Sequence, residues 1–148
     1  MRPFLPYLVA VLSVPVASVR ADEPPVVVGE NVTVEEAWAK MGEDGSAEIF
    51  LVVNNRNIFA TPVITFSVPG ATSAQFLNGR GVPVDAVVPS HSELYMQPGG
   101  VRVSATDVEV GPFFQVLVSM GQGEGVMVRA TVLDKDTPVP DHHDYDHG

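Results

Sequence analysis

The feature that most constrains this chain is a two-residue apolar period in short runs, each cut by Gly, Pro, Asn or Asp before a helical turn could close. Side chains on alternate faces with frequent turn residues specify an antiparallel sheet protein, and no segment carries a helical stripe. The pattern predicts strands over residues 26–28, 32–38, 47–54, 62–68, 73–77, 84–88, 93–97, 101–105, 114–120 and 126–133. About ten short strands imply a two-sheet sandwich or a barrel. The run Ile49-Phe-Leu-Val-Val53 is apolar on both faces, which places it centrally, covered on each side. In Val126-Met-Val-Arg-Ala-Thr-Val132, Met127 and Arg129 share one face, so this strand is half exposed. Gly121-Gln-Gly-Glu-Gly125 reads as the loop of a hairpin in which Met120 faces Val126 and Met127 lies on the other side.

Three segments follow from the same reading. Residues 1–21 resemble a cleaved secretory signal, with Arg2 ahead of an apolar stretch too short to span a bilayer and Val19-Arg-Ala21 before the cut. The body is then one domain over 22–133, and residues 134–148 form a flexible His/Asp-rich tail, polar, punctuated by proline and expected to be disordered. Loss of the first 21 residues removes two arginines and no acid, taking the net charge from −10 to −12. With no cysteine there is no disulfide framework, zinc ribbon or cysteine nucleophile, so a metal site must use other donors. Eight Lys and Arg against eighteen acids leave no basic stripe for a phosphate backbone, which excludes nucleic acid as a partner.

Three of the four histidines, His142, His143 and His147, lie in the last seven residues, interleaved with Asp141, Asp144 and Asp146. Imidazole and carboxylate together suit Cu(II), ahead of Cu(I), and zinc and nickel fit the same donors. The bland alternative is a solvating acidic tail. His91, in Pro89-Ser-His-Ser92, reads as a solvated surface turn, and the internal methionines Met41, Met96, Met120 and Met127 read mainly as core filling, with Met96 or Met127 as conceivable supplements to the tail. Ser90-His91-Ser92 offers no orienting acid or oxyanion motif, so an enzyme is not expected.

Val32-Thr-Val-Glu-Glu-Ala-Trp-Ala-Lys40, Ala47-Glu-Ile-Phe-Leu-Val-Val-Asn54 and Glu93-Leu-Tyr-Met-Gln-Pro-Gly-Gly100, in this order and spacing, resemble the periplasmic copper chaperones of the PCu(A)C type. The resemblance implies an antiparallel, cupredoxin-like and immunoglobulin-like β-sandwich. It also implies a periplasmic copper carrier whose partners are the metal ion and a membrane or periplasmic cuproprotein acceptor. The family's copper ligands do not carry over. Where the family has aromatic-His-x-Met after Pro-Gly-Gly, this chain has Val101-Arg102-Val103-Ser104; its other histidine falls near Leu77, and its methionine loop is shortened to Asn78-Gly-Arg-Gly81. Arginine does not deprotonate to coordinate a metal in a protein, and a neutral serine is a poor Cu(I) ligand. Arg80 and Arg102 are expected near that pocket, where they bind a carboxylate or an acidic partner patch, or pair with local acids. Metal binding is thus expected in the tail. The alternative is a metal-independent extracytoplasmic interaction module on a degenerate scaffold of this type.

Overall fold

The computed structural model describes residues 21–141, and these are all-β with no helix. The strands are β1 (Val26–Gly29), β2 (Val32–Met41), β3 (Ala47–Asn55), β4 (Ile64–Ser67), β5 (Ser73–Leu77), β6 (Ser92–Tyr95), β7 (Arg102–Thr106), β8 (Phe113–Met120) and β9 (Val126–Leu133). They form one hydrogen-bonded sheet in the order β4-β8-β9-β2-β3-β7-β5, with β1 on β2 and β6 on β3. The expected antiparallel pairing holds everywhere except between β2 and β9, which run parallel from Trp38 opposite Thr131 to Lys40 opposite Leu133.

The sheet wraps round a core drawn from alternate residues: Val32 and Val34 of β2, Ile49, Leu51 and Val53 of β3, Val116 and Val118 of β8, and Val128 and Ala130 of β9, all at most 1% exposed. Phe50 and Val52, which point the other way from β3, are also only 2% and 3% exposed, so the central strand is covered on both faces. Met96 is fully buried, and Met41 and Met120 pack against the core, as their reading as core filling requires.

Two local expectations are corrected. The segment 84–88 is not a strand. Pro83 bridges Leu77 at the edge of β5, and Ala86 bridges Ile64 at the edge of β4, so the segment crosses from one open edge of the sheet to the other. Its alternating burial, with Ala86 and Val88 in the core, looks like a strand, but its hydrogen bonds are divided between two partners. In the last hairpin Val126 lies opposite Val118 rather than Met120, because the turn takes in more residues than the glycine loop alone; Met120 and Met127 still fall on opposite faces.

β6 and β7 occupy the same edge of β3, β6 against Val52–Asn55 and β7 against Ala47–Ile49. They are one edge interrupted by an outward loop at Gln97–Val101. This loop is closed by the Gly100 N–H donating to the Gln97 carbonyl at 2.9 Å and the Gln97 N–H donating to the Val101 carbonyl at 3.1 Å. Gly99 sits there at φ +76°, where a side chain would be strained. The tail expected to be disordered from 134 is corrected over its described part: residues 134–141 stay on the body, where Val139 packs against the core and the Lys40 ammonium donates to the Lys135 carbonyl at 3.2 Å.

Candidate functional site

The pocket that the resemblance vacates lies where the Gln97–Val101 loop meets the 78–81 loop after β5. The two loops touch, since a Cβ added to Gly79 would lie 3.5 Å from the Gly99 carbonyl oxygen. Asn78 organises its loop by accepting at Oδ1 from the Arg80 and Val82 N–H groups at 2.9 and 3.1 Å.

Arg102, at the start of β7 opposite Leu77 of β5, fills the junction. Its Nη1 donates to the Gly100 carbonyl at 2.9 Å and to the Asn78 carbonyl at 3.2 Å, while its Nε donates to Glu48 Oε1 at 3.0 Å. One guanidinium thus ties both loops to β3, with its side chain 16% exposed. The planar fork suits this bridging, which a single-point cation could not reproduce. Among the readings open for Arg102, pairing with a local acid is the one found. Arg80 is exposed, and Ser104 is half buried on β7.

The centre of the junction is a fixed cation, the Arg102 guanidinium with Nε and Nη1 engaged, and among the described residues no group of three or more His, Asp or Glu side chains is placed to hold a metal ion. His91 stands in a left-handed turn at φ 49°, exposed, with its N–H donating to the Asn57 carbonyl at 3.0 Å.

Of the tail residues singled out in the sequence, Asp141 is described and His142, His143, Asp144, Asp146 and His147 lie outside the described residues. Asp141 is placed on the body by the Tyr95 hydroxyl, which donates to its Oδ1 at 3.1 Å. Tyr95 stands opposite Val52 of β3, so residue 141 reaches β6 at its end nearest the Gln97–Val101 loop.

Sequence reasoning missed two features. Asn55, fully buried at the end of β3, donates from Nδ2 to the carbonyls of Phe59 (2.8 Å), Val88 and Pro89 (both 3.1 Å) and accepts at Oδ1 from the Asn57 N–H at 2.9 Å. It pins a loop that presents Ile58 and Phe59 at 71% and 72% exposure. The second is a cavity between β2 and β9 beside Trp38 and Arg129. The sequence leaves both hidden because the partners of Asn55 at Val88 and Pro89, and the walls of the cavity, come from distant segments.

No family model and no curated protein matches this chain. Solved structures do. The copper-bound PCuAC domain from PmoF2 superposes at a TM-score of 0.63 with 21% identity, over 72% of this chain and 95% of that one. The apo PCuAC domain from PmoF1 gives 0.63 at 20% identity, over 73% and 97%. The solution structure of apo-DR1885 from Deinococcus radiodurans gives 0.55 at 17% identity, over 81% and 91%. A single sheet of this order, wrapped on a valine-rich core, is therefore the fold of the PCuAC domains.

Proposed function

We propose that the protein is an extracytoplasmic copper-binding carrier or buffer, not a catalyst. It takes Cu(II) mainly through His142, His143 and His147, with Asp141, Asp144 and Asp146 in support. The observation that carries this reading is Arg102, which ties up the loop junction with a fixed positive charge and leaves the His/Asp cluster as the best donor set in the chain. A shared fold with PCuAC domains, one of them copper-bound, supports copper as the cargo. The Tyr95 contact supports a tail that starts at the body surface, which lowers the entropy cost of gathering its ligands. On this reading residues 1–21 direct export to the periplasm, 22–133 are the folded domain and 134–148 the metal-binding segment. The acidic surface favours a basic face on a cuproprotein acceptor.

The test compares the full chain with a variant carrying His142→Ala, His143→Ala and His147→Ala, each competed against a chelator of known affinity, with Cu(II) in air and Cu(I) under reductant. The variant loses Cu(II) binding, and in the parent that binding falls away below about pH 6 as the imidazoles protonate. A variant that still holds either ion tightly refutes the tail as the site. A metal-independent interaction module is the second reading, favoured by the pinned, exposed Ile58 and Phe59; a tail that proves dispensable in cells supports it.

A further inference from the structure

Among the described residues, six of the nine large hydrophobic side chains left in solvent fall on two short segments. They are Ile58, Phe59 and Val63 between β3 and β4, and Val82, Val84 and Val87 between β5 and β6, each between 41% and 72% exposed. The segments are tied to each other: the Thr61 N–H donates to the Val88 carbonyl at 2.9 Å and the Ile64 N–H to the Ala86 carbonyl at 2.8 Å. Thr61, Ile64, Ala86 and Val88 are buried, which leaves their neighbours to the solvent side of this ribbon. The other exposed residues over 58–63 and 82–89 are one alanine, three prolines and a single acid, Asp85. In a chain of eighteen acids this face is almost uncharged. Its six side chains present roughly 500 Å² of apolar surface, near the upper limit of what a monomer leaves bare. The flanking prolines carry it toward the roughly 800 Å² that each copy buries in a specific dimer.

The face holds both a knob and a groove. Phe59 is the knob, 72% exposed on a corner that Asn55 pins through the carbonyls of Phe59, Val88 and Pro89. A corner already fixed loses little conformational freedom when it docks. The groove, about 190 Å³, lies at the junction of β4 and β5 and is lined by Val63, Phe66, Phe76, Val84 and Asp85 among others. An apolar cavity of about 150 Å³ takes up benzene, so the groove has room for a phenyl ring. A two-fold axis through the face seats the Phe59 of each copy in the groove of the other at the same time. The same operation carries Arg56, three residues before Phe59, toward the groove wall that bears Asp85. Both are exposed, and neither is in an ion pair among the described residues. Elsewhere the net charge of −10 sets two copies against each other, so a nearly neutral face is where they approach at least cost.

We propose that the protein associates as a two-fold homodimer through this face. Phe59 of each copy fills the groove over Phe66 and Phe76 of the partner subunit, and Arg56 pairs with Asp85 of the partner subunit. The association is independent of the copper reading and stands whether or not the tail binds metal.

Sedimentation equilibrium of the full chain over a concentration series tests this, in chelator so that no metal bridges two tails. The expected result is a reversible monomer–dimer equilibrium. Phe59→Ala weakens it at least about tenfold, as loss of a central aromatic anchor does, with the melting temperature of the dilute protein unchanged. Arg56→Glu and Asp85→Arg each weaken it, because each sets like charges together across the axis, and the double variant restores it. A chain that stays monomeric at every concentration overturns the proposal; if that monomer sediments with phosphatidylcholine vesicles and its Phe59→Ala variant does not, the face belongs to a lipid surface. A dimer indifferent to Phe59→Ala forms through another face and overturns it equally, as does a double charge variant no tighter than the single ones.

Discussion

Replacing Arg102 tests whether the loop junction is held by a brace. Arg102→Met keeps the aliphatic stem and removes three hydrogen bonds, to Gly100, Asn78 and Glu48. Charge-assisted bonds to carbonyls contribute about 1.5–3 kcal/mol each when the partners are lost to water. The freed carbonyls of Asn78 and Gly100 lie in half-exposed loops and rehydrate, which holds each loss to the low end of that range. The Glu48 side chain is 48% exposed, so its ion pair adds under about 1 kcal/mol after solvent screening. The sum is about 3 kcal/mol, a large share of the roughly 5–15 kcal/mol that holds a domain together. For a chain of this size it lowers the melting temperature by about 10 °C. Arg102→Lys separates charge from geometry: it keeps the cation near Glu48 but cannot reach both carbonyls, so it recovers only about 1 kcal/mol. Urea unfolding of the three proteins, fitted with a common slope, gives the numbers. A lysine variant as stable as the parent would refute the brace, and so would a methionine variant within about 0.5 kcal/mol of it.

Three further outcomes are expected. Arg102→His combined with Ser104→Met gains measurable Cu(I) binding in a competition assay under reductant; no gain means the junction is not where the family resemblance puts the copper. Asn55→Ala strands the carbonyls of Phe59, Val88 and Pro89 and costs about 3–5 kcal/mol, with faster proteolysis around Ile58 as the second readout. The Asp44 carboxyl titrates below its ordinary range, first because the Ser46 hydroxyl donates to it at 2.6 Å and then because the Ser46 N–H does. The stability it lends is present above the unfolded value and lost as pH falls through the lowered one. Ser46→Ala moves its NMR titration upward, and an unmoved midpoint sinks that assignment.

The alternation rule recovered what is local. The segments 73–77 and 126–133 match β5 and β9 residue for residue, each an apolar-rich run bounded by turn residues. It failed at 84–88, where alternating burial arises from two separate edge contacts rather than one ladder. Glu48 as the partner of Arg102 was foreseeable only as a kind of neighbour, since both lie on paired strands whose register the sequence leaves open. The cavity at Trp38 was invisible for a stronger reason: it exists because a parallel pairing begins late and a bulge falls at Glu35, and neither has a composition. The chemistry of the tail, by contrast, is legible from residue types alone.

The strands at the two ends of the sheet path, β4 and β5, are consecutive in the chain, separated only by Val68 to Thr72. Their rings meet directly, Phe66 against Phe76 with centroids 6.0 Å apart. The seam of the wrapped sheet is thus a short-range event: bringing its lips together requires closing a loop of five residues, which costs little entropy compared with the long excursions that pair β2 with β9. A folding chain can hold this corner early and let the distant strands zip towards it. The 82–88 segment then bridges the seam at Leu77 and Ile64, covering part of each lip that could otherwise recruit a strand from another molecule.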